Sequence, residues 1–125
     1  MTIYPTIDEV LIAHARLIAR FGGAMGLRDP GALESAIARP RIGYYDDVIA
    51  EAAAMWESLS QNHPFLDGNK RTAIAVTAAF LRVNGHGLAF DDLEAYKHII
   101  TLYETGNMHF EALERWLRKH IELSK

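Results

Sequence analysis

Hydrophobic residues recur at helical spacing along most of the chain. Val10, Ala13, Leu17 and Phe21 form one such stripe, with Thr6 and Glu9 at capping-box spacing ahead of it and Gly22-Gly23 behind it. This pattern predicts a first helix ending at Phe21. Asp29 and Pro30 read as the N-cap and first position of a short second helix through Leu33 and Ile37, closed by Pro40. Between Arg39 and Tyr45 no helical period survives. A third helix starts near Asp46 and Asp47, whose carboxylates suit a helix N-terminus, and sets Val48, Ile49, Ala52, Met55, Trp56 and Leu59 on one stripe. It ends by Asn62, because Pro64 disfavours helical backbone at His63 and holds it extended.

From Ala73 to Val83 only Thr77 and Arg82 interrupt the apolar residues. Such a helix is apolar on nearly every side, which predicts the buried centre of the fold, and Asn84-Gly85 stops it. Asp91 is expected to cap a fifth helix carrying Leu93, Tyr96, Ile99, Ile100 and Tyr103 up to Gly106, and a sixth carries Phe110, Leu113, Trp116, Leu117 and Ile121. Six helices, no convincing strand, and neither repeat nor linker predict a single all-α domain over residues 1–125.

Composition narrows the classes. With 50% hydrophobic and 23% charged residues and only 4 Pro, the chain is an ordinary globular one. The absence of Cys excludes disulfides, cysteine nucleophiles and thiolate metal sites. Neither a basic-then-apolar leader nor a long uncharged run is present, so a cytoplasmic protein without signal peptide or membrane span is expected. The 13 Lys and Arg against 16 Asp and Glu give a net charge of -3. No basic block marks a nucleic-acid face, so any polyanion must be met locally.

The segment His63-Pro64-Phe65-Leu66-Asp67-Gly68-Asn69-Lys70-Arg71-Thr72 departs from the local rules. It is a loop feeding the fourth helix, and Lys70 and Arg71 stand in a first turn where the helix dipole disfavours a cation by about 0.3–1 kcal/mol. A bound anion reverses that penalty. Free N–H groups, a Gly permitting close backbone approach and two cations together describe a phosphate site, against the alternative of a solvated basic turn. Asp67 suits a magnesium ion bridging nucleotide phosphates, against an ordinary Asp-Gly turn. His63 suits a general base for an attacking hydroxyl, against plain polar surface. Phe65 reads as an apolar anchor for the loop, and Asn69 as helix N-cap and phosphate donor. Trp56 and Trp116 read as core rather than as a ligand cage with Tyr44 and Tyr45, and His86, His98, His109 and His120 show no pairing that builds a zinc site.

These residues resemble the signature of the Fic/Doc family, His-x-Phe-x-Asp/Glu-Gly/Ala-Asn followed by Gly-Arg or Lys-Arg, at every signature position. Phe21-Gly22-Gly23, Arg28-Asp29-Pro30, Leu33-Glu34-Ser35-Ala36 and Arg39-Pro40 are similar to the N-terminal half of the family's Doc (death-on-curing) branch. The C-terminal half is similar only in helix layout and length. AMP-transferring members carry Gly after the Asn and a second Arg three residues beyond the first, where this chain has Lys70 and Ile74. Both differences favour the Doc branch.

The resemblance implies a compact six-helix domain with a buried central helix after the motif. It also implies a toxin of a toxin–antitoxin pair that acts as a protein kinase, using ATP and Mg2+ to phosphorylate a threonine of elongation factor Tu. Catalytic roles fall on His63, Asp67, Lys70 and Arg71, nucleotide contacts on Gly68, Asn69, Lys70 and Arg71, and the metal on Asp67. The stretch from Arg39 to Tyr45 takes the place of a flap that aligns the target peptide by strand-like pairing. The family's inhibitory string, Ser or Thr, three residues, then Glu before Gly or Asn, does not occur in these 125 residues. Restraint is therefore expected from a separate antitoxin whose segment folds as a helix on this domain. An AMP transferase with an atypical motif and a catalytically silent binding module remain as alternatives.

Overall fold

The structure, a computed structural model, describes residues 1–89 and 92–123, and of 92, 93, 95, 96, 122 and 123 the backbone alone. Among the described residues the helices are α1 (Ile7–Phe21), α2 (Pro30–Ala38), α3 (Val48–Gln61), α4 (Asn69–Val83), α5 (Asp92–Glu104) and α6 (Phe110–His120). A 3₁₀ helix spans Arg39–Ile42. The all-α expectation holds with one small addition, an antiparallel pair of β1 (His86–Leu88) and β2 (Ile121–Leu123). Strands of three residues are too short for alternation to reveal, and Ile121, expected on the sixth helix, instead faces Leu88 across this pair. The expected cap Asp91 and the side chains of Leu93 and Tyr96 lie outside the described residues.

Local chemistry accounts for the helix starts. Thr6 and Glu9 form both halves of a capping box, at 3.1 and 2.9 Å. Asp29 and Asp47 cap α2 and α3 by accepting from the N–H groups of Ala32 and Ala50. The α-helix stops at Ala38, ahead of Pro40 as expected, but the chain then tightens into the 3₁₀ helix and does not become irregular. Pro40 sits buried near the start of the 3₁₀ helix, where a missing N–H costs nothing. Half of the stretch expected to be irregular is therefore a helical turn, and the described residues 39–45 contain no strand.

The centre of the domain is the α3–α4 pair. On α3 the run Ala52, Ala53, Ala54, Met55 and Trp56 is wholly buried, and small alanines let neighbouring helices approach closely. α4, expected as the buried centre, buries Thr72, Ala73, Val76, Thr77, Phe80 and Leu81 but leaves Ala79 and Val83 in solvent, so α3 is the more enclosed of the two. Trp56 on α3 and Trp116 on α6 meet edge to face at 5.7 Å, both in the core as expected. Fully buried side chains such as Met55 and Leu59 on α3 and Phe65 on the loop after it each contribute about 1.5–3 kcal/mol. α1 turns Val10, His14 and Ile18 inward, while Phe21, expected on its buried stripe, is 57% exposed. It is the last residue of the helix, and its ring faces the guanidiniums of Arg20 and Arg71. No helix among the described residues is long and apolar enough to cross a membrane.

Candidate active site

The motif loop, residues 62–68, joins the C-cap of α3 to the N-cap of α4. Its anchor is Phe65, 2% exposed, whose ring lies flat on the imidazole of His14 with centroids 3.8 Å apart and planes 5° from parallel. Asn69 closes the loop on itself. Its side chain accepts from the Phe65 N–H and donates to the Phe65 carbonyl, both at 2.9 Å. Asn69 is therefore not the N-cap of α4. Gly68 is, in the left-handed region at φ 76°, and no side chain caps the helix. The first-turn N–H groups have no partner within α4 and point out of its N-terminus.

A second loop, between α1 and α2, clamps the first from outside. The N–H groups of Arg28 and Asp29 both donate to the Pro64 carbonyl, and Leu66 N donates to the Gly26 carbonyl. The Arg28 guanidinium reaches the carbonyls of His63 at 2.7 Å and Asn62 at 2.8 Å. This clamp holds His63 at φ 47°, not in the extended conformation expected before a proline. Left-handed backbone is uncommon outside glycine, and a charged donor on the carbonyl stabilises it here. The His63 side chain is exposed.

Asp67 is also exposed, and its carboxylate is fixed by backbone. Oδ2 accepts from the Ala24 N–H at 3.1 Å, Oδ1 accepts from the Gly68 N–H at 2.8 Å, and its own main-chain carbonyl lies 2.8 Å from His14 Nε2. The hydrogen bonds from Ala24 and then Gly68, with Arg71 nearby, hold the carboxyl below its ordinary value. It is ionised at neutral pH, with its remaining lone pairs open to solvent. Gly23 makes room for it: at φ 120° a Cβ there would stand 2.7 Å from Oδ2.

The two cations diverge. Lys70 Nζ lies 4.4 Å from the centroid of the Tyr103 ring on α5, whereas the Arg71 guanidinium lies 4.9 Å from the Phe21 ring at the end of α1, which Arg20 also approaches at 5.2 Å. Each aromatic face is worth about 0.5–1 kcal/mol to an exposed cation, which offsets the dipole penalty without an anion. The loop thus sets Asp67 and Gly68 at the uncapped helix end beside Arg71, with Lys70 on the neighbouring face, while His63 stands at the start of the loop with its side chain in solvent. A separate cleft of about 330 Å³, lined by Tyr44, Tyr45, Glu57 and His109 among others, includes no residue of the motif.

Sequence reasoning passed over three residues that build this site. His14 looks like a polar interruption of an apolar stripe, and Arg28 like a surface cation. Gly23 reads as a helix stop and as part of the family resemblance, but not as the seat of a carboxylate. The one available signal was the run of glycines and Arg28-Asp29 that the family resemblance picked up.

A family model described as the Fic/DOC family matches residues 4–81. A protein of Mycolicibacterium smegmatis named Toxin Doc is 42% identical over 96 residues, covering 73% of this chain and 72% of that protein. Protein kinase doc of Escherichia phage P1 is 37% identical over 82 residues, covering 62% of this chain and 65% of that protein.

Proposed function

Because this chain belongs to the Fic/DOC family, we propose that it is a cytoplasmic Doc-type toxin that moves the terminal phosphoryl group of ATP onto a protein hydroxyl and so halts translation. A threonine of elongation factor Tu is the proposed target. The observation that carries this reading is the Asp67 carboxylate, exposed and ionised beside an uncapped helix N-terminus with Arg71 in its first turn. Phosphoryl transfer asks mainly for positioning and charge neutralisation, and these groups offer both. The name Protein kinase doc, borne by the phage P1 relative, agrees with it. So do Lys70 and Ile74, where AMP-transferring members have Gly and Arg.

In this reading the γ-phosphoryl lies at the N-terminus of α4, its charge met by the first-turn N–H groups and by Arg71. Lys70 leaves the Tyr103 face, and its four-carbon stem carries a point charge to the phosphates. The donor set at Asp67 fits magnesium, which takes one or two carboxylates together with phosphate oxygens and water. Bound there, the ion neutralises charge on the transferring group. His63 accepts the proton of the target hydroxyl as that oxygen bonds to the γ-phosphorus. The bond from phosphorus to the β,γ-bridging oxygen breaks, and ADP leaves with the electron pair. A separate antitoxin, docking a helical segment beside the site, restrains the enzyme.

Incubating the protein with a bacterial lysate and ATP labelled at the γ or the α phosphorus tests this. The expected result is γ-label, without α-label, on one protein whose intact mass rises by a phosphoryl group. Transfer of α-label instead would make the chain an AMP transferase, and no transfer of either would leave a binding module.

A further inference from the structure

We propose that His14 is a positioning residue that fixes which way the Asp67–Gly68 peptide faces, a role that rests on the phosphate-binding reading above. His14 is buried, 3% exposed, and its Nε2 lies 2.8 Å from the Asp67 carbonyl oxygen. A carbonyl only accepts, so Nε2 carries the proton. The imidazole cannot turn away, because it is stacked on the Phe65 ring.

A trans peptide points its C=O and N–H in opposite directions. With the carbonyl drawn inward by His14, the Gly68 N–H faces outward, where it donates to Asp67 Oδ1 at 2.8 Å. Gly68, at φ 76°, does not by itself impose this orientation, because glycine occupies both signs of φ with little cost. A flipped peptide would release one of the two N–H groups that hold the carboxylate. It would also turn carbonyl lone pairs toward the phosphates. The His14 donor removes that alternative.

The test separates the donor from the ring. His14→Phe keeps a ring to stack on Phe65 and loses the donor, whereas His14→Gln restores an N–H at similar reach. Titrating the full chain with MgATP by calorimetry, alongside thermal unfolding, should show affinity reduced about 10- to 100-fold in His14→Phe and largely recovered in His14→Gln. A folded His14→Phe protein that binds MgATP like wild type overturns the proposal. If His14→Phe does not fold, the wild-type imidazole decides by NMR: a protected Nε2 proton whose resonance moves on adding MgATP is expected, and a bare Nε2 or an unmoved resonance overturns it. Asp67→Asn keeps the two failures apart. Unchanged MgATP affinity in that variant defeats the reading of the site itself, while weakened affinity there with normal affinity in His14→Phe defeats only the role of His14.

Discussion

His63 occupies backbone space that costs a non-glycine residue about 1–3 kcal/mol, and the Arg28 hydrogen bonds to its carbonyl and to that of Asn62 offset this. The loop geometry is therefore set by groups other than the His63 side chain. Removing that side chain should change chemistry and not shape: His63→Ala is expected to lower transfer by about 10²- to 10⁴-fold while MgATP affinity stays near wild type. Single-turnover assays paired with calorimetry check this, and equal loss of binding would remove the base role. Gly23→Ala tests the seat of the carboxylate. A Cβ at φ 120° and 2.7 Å from Asp67 Oδ2 must displace the carboxylate or the loop, so a stability loss of about 1–3 kcal/mol in urea, with weaker magnesium-dependent nucleotide binding, is expected. Lys70 is the residue on which the branch turns. Lys70→Gly should lose phosphorylation and gain at most slight AMP transfer, because Ile74 supplies no second cation, and full retained kinase activity would remove the phosphate role given to Lys70 and with it Lys70 as the mark of the branch.

At the scale of elements, the ends of α3 and α6 are tied by Asp47, which caps α3 and holds Arg118 of α6 through two hydrogen bonds of 3.1 Å. Partial burial pushes the Asp47 carboxyl up, but the hydrogen bonds from Arg118 and the Ala50 N–H outweigh it and leave it below its ordinary value. The unfolded chain then takes up this proton at higher pH than the folded one. Stability from the pair is complete above the unfolded value, about 3.9, and is lost as pH falls through the folded value. Asp47→Asn keeps a good cap and loses the ion pair, so urea midpoints should fall at pH 7 and decline less steeply toward pH 3, whereas parallel curves would show that the pair does not couple to folding. This element also shows what was legible in the sequence. Caps and stripes are local, so Thr6 with Glu9, Asp29 with Pro30, and Asp47 announce their helices directly. Partners are not local. His14 gains its importance from a carbonyl 53 residues further on, and Asn69 stands where a cap belongs but turns back four residues to Phe65. The candidate residues were visible because a histidine and a carboxylate at fixed spacing stand in the sequence whatever the fold, whereas the shell that holds them exists only after folding.

For the molecule as a whole, the fold leaves its site on the surface. Asp67, Lys70 and Arg71 are all exposed, and Phe21, Met25 and Leu66, at 57 to 59% exposure, stand on or beside the two loops that build the mouth. Apolar side chains flanking exposed cations suit the proposed antitoxin helix, which would bury the former and bring a carboxylate to the latter. If the antitoxin docks as such a segment, its ordering entropy limits its affinity per unit area. Without the partner, nothing within these 125 residues carries the family's inhibitory string to occupy Arg71. Expressing the chain alone in bacteria is therefore expected to arrest growth at levels where His63→Ala, which keeps the fold and nucleotide site, is tolerated. The comparison is decisive because both proteins present the same surface and differ only in the proposed base. Arrest by both would assign the toxicity to binding. Harmless accumulation of wild type, with MgATP binding demonstrated on the purified protein, would count against the toxin and leave a domain that holds nucleotide without using it.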